Sequence, residues 1–151
     1  SIGPVEPVGF SHACTHFYGF DEKRDIIYFQ SAEKSPLERH VYSVDLNGKN
    51  KKLHTPFSGT NNTQFSSTFD FYVNTHSTIN KPPSYKVFNR EDKLIRVIED
   101  NQDLVETQAE VKVKPVEFFN FTTSENVDLN GWMIKPKDFD PKRQYPVFMY
   151  L

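Results

Sequence analysis

Side chains able to act as nucleophile, base or metal ligand crowd together at His12-Ala-Cys14-Thr-His16. On an extended strand these alternate residues would share a face and could offer three metal ligands, or a thiol beside an imidazole. A fourth ligand is missing, however, and thiolate–imidazole pairs are normally assembled from distant segments. Neither a metal site nor a cysteine nucleophile is therefore expected. The remaining histidines, His40, His54 and His76, fall at strand ends and loops and are expected to be exposed or satisfied. A serine nucleophile fares no better. The six glycines are Gly3, Gly9, Gly19, Gly48, Gly59 and Gly131, and no two flank a serine as the G-x-S-x-G elbow requires.

The carboxylate pairs Asp21/Glu22, Glu91/Asp92 and Glu99/Asp100 lie where turns or a helix start are predicted, so they read as solvated turn residues. Phosphate-cradling glycine motifs do not occur. The basic stretches Lys49-Asn-Lys-Lys52, Lys135-Pro-Lys137 and Lys142-Arg143 read as charges that blunt exposed edges. Tyr28, Phe29, Phe118, Phe119 and Phe121 are expected to pack a core rather than stack on bases. Asn61-Asn-Thr63 and Asn120-Phe-Thr122 fit the glycosylation sequon without establishing secretion. No catalytic, substrate-binding, cofactor-binding or metal-ligating residue is assigned.

The elements that would position such residues are mostly strands. Valine (13), isoleucine (7) and a 15% aromatic content outweigh 3 alanines and 7 leucines, a mixture suited to pleated, half-buried strands. Residues 1–15 are expected to be irregular. Runs then follow at His16–Phe20, Ile26–Ala32, His40–Leu46 and Lys51–His54, with the charged turn Asp21–Asp25 and an Asn47-Gly48 hairpin turn between them. After the polar stretch Ser58–Thr63, further runs occur at Gln64–Ser67, Phe69–Thr75, Ser84–Asn89 and Lys93–Glu99, with Arg90–Asp92 as a second hairpin turn. Aligning Tyr28 with Tyr72, Tyr42 with Tyr85 and Val44 with Val87 gives offsets of 44, 43 and 43 residues, a period typical of β-propeller blades.

The expected organisation is an all-β chain. It comprises an irregular segment at 1–15, two propeller-type blades over 16–100 (about 16–57 and 58–100), a connector over 101–115 and further strands over 116–151. The connector carries the one plausible helix, Asp100–Glu110, with Asp100 or Asn101 as its cap. The apolar run Tyr145–Leu151 reads as the start of a buried strand, and two blades cannot close a ring, so the sequence is expected to be a fragment.

Net charge is −2, which gives no electrostatic case for nucleic acid or an anionic membrane surface. No apolar run reaches the roughly 18 residues of a spanning helix. The single cysteine cannot form an internal disulfide and leaves the compartment open.

The stretch Asn130-Gly-Trp-Met-Ile-Lys-Pro-Lys-Asp-Phe-Asp-Pro-Lys-Arg-Gln-Tyr-Pro-Val-Phe-Met-Tyr150 resembles the passage from propeller to α/β-hydrolase domain in the prolyl oligopeptidase superfamily. It is most similar to the dipeptidyl peptidase IV branch in its bacterial form. Tyr28-Phe-Gln-Ser-Ala-Glu33, Arg39-His-Val-Tyr-Ser-Val44 and Arg96-Val-Ile-Glu-Asp-Asn101 resemble the last blades of that branch. The resemblance covers roughly residues 16–151 and places the first hydrolase strands at 116–151. It implies a parent serine exopeptidase that releases N-terminal dipeptides after proline or alanine, through a Ser-Asp-His triad and without metal or cofactor. It also implies peptide substrates, is compatible with a homodimer, and suggests a periplasmic, cell-envelope or secreted setting. The triad and the paired glutamates that hold the substrate amino group lie outside this sequence. The family's oxyanion-hole tyrosine would fall one residue beyond Leu151, so Tyr150 does not take that role. The chain alone is expected to be inactive. The alternative from another class is a β-rich module that binds a peptide or glycan without catalysis.

Overall fold

The computed structural model describes residues 14–111 and 114–150. The described residues are nearly all-β with one short helix, and the chain divides into two compact units, Ser1–Gln102 and Asp103–Leu151.

The first unit holds two antiparallel four-stranded sheets, each built in chain order. One contains β1 (Cys14–Asp21), β2 (Ile26–Ser31), β3 (His40–Asp45) and β4 (Lys52–Leu53). The other contains β5 (Thr60–Phe65), β6 (Phe71–Thr78), β7 (Lys81–Asn89) and β8 (Leu94–Glu99). Aromatic residues fill the space between them. Tyr28 stacks on Phe69 with centroids 5.0 Å apart and packs on Phe65, which in turn meets Tyr72. Phe29, Tyr42 and Val44 form a buried cluster on the opposite face of the first sheet, flanked by Ile27 and Leu53. Burial of Tyr28 and Phe29 agrees with their expected core role.

The sheets repeat one backbone plan, in a register different from the one expected. The turn bond from Arg24 N to Asp21 O recurs from Phe69 N to Ser66 O, 45 residues later. The pair Gly48 N to Asp45 O and Asp45 N to Lys49 O recurs as Asp92 N to Asn89 O and Asn89 N to Lys93 O, 44 residues later. The first two strands thus repeat at 45 and the last two at 44, one residue beyond each offset taken from the tyrosines. A slip of one residue moves a side chain to the other face. Tyr28 and Tyr72 are accordingly not counterparts: Tyr28 projects from the first sheet toward the second, and Tyr72 projects back, edge-on to His54 of the first.

Other boundaries also move. β1 starts at Cys14, inside the segment read as irregular; residues 1–13 lie outside the described residues. Thr60–Thr63, expected to be part of a polar loop, begins β5, because its backbone bridges to Arg39 at Thr60 and the side chains of Asn61 and Asn62 bond across to Arg39 O and the Tyr18 hydroxyl. β7 begins at Lys81 and takes in Pro82 and Pro83, with a register irregularity between His76 and Thr78 next to the prolines.

Gly19 is required by its surroundings. Its φ of +153° suits glycine, and a Cβ there would lie 2.7 Å from the Phe69 ring. Phe69 itself holds a left-handed φ of 56°, which lays its ring between Tyr28 and Phe65.

The second unit contains most of α1 (Gln102–Glu110) and a hairpin of β9 (Glu117–Thr122) with β10 (Asp128–Met133). Asp100 Oδ1 accepts from Gln102 N at the helix start, and no helix residue is buried. In the hairpin, the Phe119 ring lies over Gly131, where a Cβ would come within 2.4 Å of it. Phe118 and Phe121 are about half exposed, contrary to the expected core role, since a two-stranded ribbon has no second layer of its own. Residues 146–150 form no strand, and Phe148 is 93% exposed. A strand exists only through its ladder partners, and this run has none among the described residues. No helix of the described residues is long and apolar enough to cross a membrane.

Candidate functional site

The polar chemistry of the chain gathers at the seam between the two sheets. His54, just after β4, is 4% exposed. Its Nδ1 lies 2.6 Å from Asp92 Oδ1, and its Nε2 lies 2.8 Å from Ser43 Oγ on β3. A carboxylate oxygen only accepts, so Nδ1 carries the ring proton and Nε2 accepts from the Ser43 hydroxyl. Tyr72 donates to the same Asp92 oxygen at 3.0 Å, and Lys52 Nζ lies 2.7 Å from the other. Burial pushes the Asp92 carboxyl up, but hydrogen bonds from His54 and Lys52, together with the Lys52 charge, outweigh it and hold the group below the usual carboxylate range. Burial and the neighbouring carboxylate push the Tyr72 phenol well up, so its hydroxyl remains a donor.

This connectivity of Asp92, His54 and Ser43 is that of an acid–base–nucleophile relay. It does not serve as one. Ser43 is 6% exposed with its proton committed to His54, and a nucleophile must reach the carbonyl it attacks. What the relay does is fasten the β7–β8 turn of one sheet to the end of β4 in the other.

A second buried histidine closes the start of β3. His40 is fully buried; its Nδ1 donates to Thr55 O at 2.6 Å, and its Nε2 lies 2.9 Å from Glu38. The hydrogen bond with His40 holds the Glu38 carboxyl below its ordinary range. Beside it, Asn61 Nδ2 donates to Arg39 O at 3.0 Å and to Phe57 O at 2.8 Å, and its Oδ1 accepts from Asn74. Gln30 adds a bond of 2.6 Å to Asn61 O. Tyr18 on β1 donates to Asn62 and accepts from Thr63 N. At the other end of the seam, Arg24 pairs with Asp21 and with Asp70, each at 2.6 Å.

The residues singled out in the sequence separate accordingly. His12 lies outside the described residues. Cys14 and His16 are exposed on β1, and a bulge between them breaks the alternation that was to align them. Among the described residues, no group of three or more His, Cys, Asp or Glu side chains is placed to hold a metal. His40 and His54 are satisfied inside the seam, and His76 lies 2.9 Å from Ser58 O. Asp21 and Asp92 are drawn into the seam rather than solvated: Asp21 pairs with Arg24 of its own turn, which also reaches Asp70, and Asp92 pairs with His54 of the other sheet. Asn61 is fully buried with its amide committed, so this sequon offers no acceptor in the folded chain, whereas Asn120 is exposed. Lys51 pairs with Glu33, Lys52 with Asp92, and Lys135 with Glu117. The signal for Asp92 that sequence reading passed over is its place in the repeat. It occupies the left-handed turn position held by Gly48 in the first sheet, where a side chain must earn its place by contacts.

Two sequential four-stranded meanders joined by a polar seam are a fold shared with solved proteins. The crystal structure of dipeptidyl peptidase 4 from Porphyromonas gingivalis superposes on 89% of this chain with a TM-score of 0.81 and 36% identity, using 19% of its own length. The family described as dipeptidyl peptidase IV N-terminal region matches residues 11–83. A probable dipeptidyl-aminopeptidase B of Verticillium alfalfae is 32% identical over 143 residues, covering 84% of this chain and 15% of that protein. Its namesake in Tuber melanosporum is 33% identical over 131 residues, covering 84% and 14%. The chain belongs to the dipeptidyl peptidase IV family. It spans about 15% of the length of the first of these curated relatives.

Proposed function

We propose that this chain is the part of a serine-type dipeptidyl peptidase in which the last two propeller blades lead into the hydrolase domain. The blades correspond to residues 16–57 and 58–100, the connector to 101–115, and the first hydrolase strands to 116–151. The whole protein would release N-terminal dipeptides after proline or alanine by the serine mechanism. This segment supplies scaffold and contributes none of the reacting groups. The observation that carries the reading is the 36% identity to P. gingivalis dipeptidyl peptidase 4 across a superposition covering 89% of the chain.

The test compares the product of the complete gene with the 151-residue chain on Gly-Pro and Ala-Pro chromogenic substrates. The complete product is expected to cleave both and to lose activity with a serine-directed phosphonylating reagent, while the isolated chain cleaves neither. Turnover by the isolated chain, or a complete product without dipeptide release, would overturn the proposal.

A further inference from the structure

We propose that the groove between β1 and β5 binds a carboxylate of a peptide through Arg39. The groove has a volume of about 500 Å³ and is lined by His16, Tyr18, Gln30, Arg39, Thr60 and Asn62, among others, with no acidic side chain among the described residues of its wall. Most of the lining groups are already engaged. Tyr18 donates to Asn62 Oδ1, and Gln30 bonds Thr15 and Asn61. Donors remain. Arg39 Nη1 reaches the carbonyls of Pro36 and Glu38, at 3.0 and 2.8 Å, while its Nε and Nη2 have no partner among the described residues. Asn62 accepts through Oδ1, and its amide nitrogen has no partner among the described residues.

Arg39 is held ready and left uncompensated. Its backbone is clamped on both sides by Gly59 O and Asn61 N, each at 2.9 Å, and neutral carbonyls fix the guanidinium without cancelling its charge. The adjacent Glu38 carboxylate is committed to His40. A guanidinium fixed in this way presents a fork suited to a planar anion, and little ordering is needed on binding. One cation among neutral donors matches a monoanion better than a phosphate dianion. That the ligand is a peptide rests on the proposed function; the carboxylate preference stands on the groove itself. The carboxylate could be a C-terminus or an acidic side chain.

Binding is measured on the full 151-residue chain by ¹H–¹⁵N NMR titration. The probes are acetyl-Ala-Glu-Ala-amide, acetyl-Ala-Ala-Ala with a free C-terminus, the neutral acetyl-Ala-Gln-Ala-amide, and inorganic phosphate. One or both carboxylate peptides should shift the amides of His16, Thr60 and Asn62, and the neutral peptide should not; the stronger of the two identifies the source. Arg39→Met should weaken binding about tenfold, and Arg39→Lys should recover only part. Asn62→Ala, at an exposed position, should weaken it too and keeps the test valid if the arginine variants unfold. Absence of shifts, equal binding of the neutral peptide, or tighter binding of phosphate than of either peptide would overturn the proposal. Such a failure leaves dipeptide release by the complete protein untouched, since that is read from substrate cleavage.

Discussion

Replacing Asp92 gives the sharpest test of the seam. Asp92→Ala removes the acceptor for two buried donors, His54 Nδ1–H and the Tyr72 hydroxyl. A buried donor left without a partner costs about 1–3 kcal/mol. The Lys52 pair adds little, because that side chain is 48% exposed. Position 92 also has a φ of 65°, which disfavours alanine by about a further 1 kcal/mol. The expected loss is about 3–7 kcal/mol, a large share of the roughly 5–15 kcal/mol that holds an ordinary domain together. Asp92→Asn keeps an oxygen for His54 and Tyr72 and tolerates the left-handed backbone, so it should cost about 1 kcal/mol. Asp92→Gly relieves the backbone term alone and should fall between them. Urea denaturation followed by far-ultraviolet circular dichroism ranks the three. pH provides a second axis. The folded-state carboxyl lies below its unfolded range, so its contribution is complete above that range, near pH 4, and fades as pH falls through the folded value. The gap between the parent and Asp92→Asn should therefore close on acidification. An alanine variant within about 0.5 kcal/mol of the parent, or an asparagine variant as damaged as alanine, would refute the clamp.

Three other outcomes are expected. Gly19→Ala should cost about 1–3 kcal/mol, through a strained backbone and a clash with the Phe69 ring, and trimming the ring with Phe69→Leu should recover part of it in the same denaturation assay. Asn61→Ala should cost about 2–4 kcal/mol, because the carbonyls of Arg39 and Phe57 and the amide of Asn74 lose a buried partner; a smaller loss than for an exposed site such as Asn120→Ala would contradict this. The outer strand β8 exposes Leu94, Ile95, Val97 and Ile98, so the isolated chain should self-associate with rising concentration in sedimentation velocity; a monomer throughout would count against it.

Period and turn chemistry made the strands readable. The Asn47-Gly48 turn, the charged turn at Asp21–Asp25 and the four-run unit all reflect local rules that leave a mark in sequence. Register did not. Tyr28 and Tyr72 share a residue type yet lie on opposite-facing positions, and similarity of type does not distinguish a repeat position from a cross-sheet neighbour when both favour an aromatic ring. The seam was hidden for a related reason. His54 and Asp92 are 38 residues apart, and each looks like an ordinary polar residue at the end of its own element. Only the packing of one sheet on the next brings them together. The polar stretch around Asn61 read as a loop because hydrophobic patterning is blind to a strand that is buried through hydrogen bonds.

The commitment of Asn61 bears on how the chain can be made. Its sequon is legible to a glycan-transferring enzyme only before folding, while the amide nitrogen is still free. A sugar attached then would take the nitrogen that must later meet the carbonyls of Arg39 and Phe57. In a host that glycosylates nascent chains, occupancy at this one asparagine would divide the product into molecules that can join their two sheets and molecules that cannot.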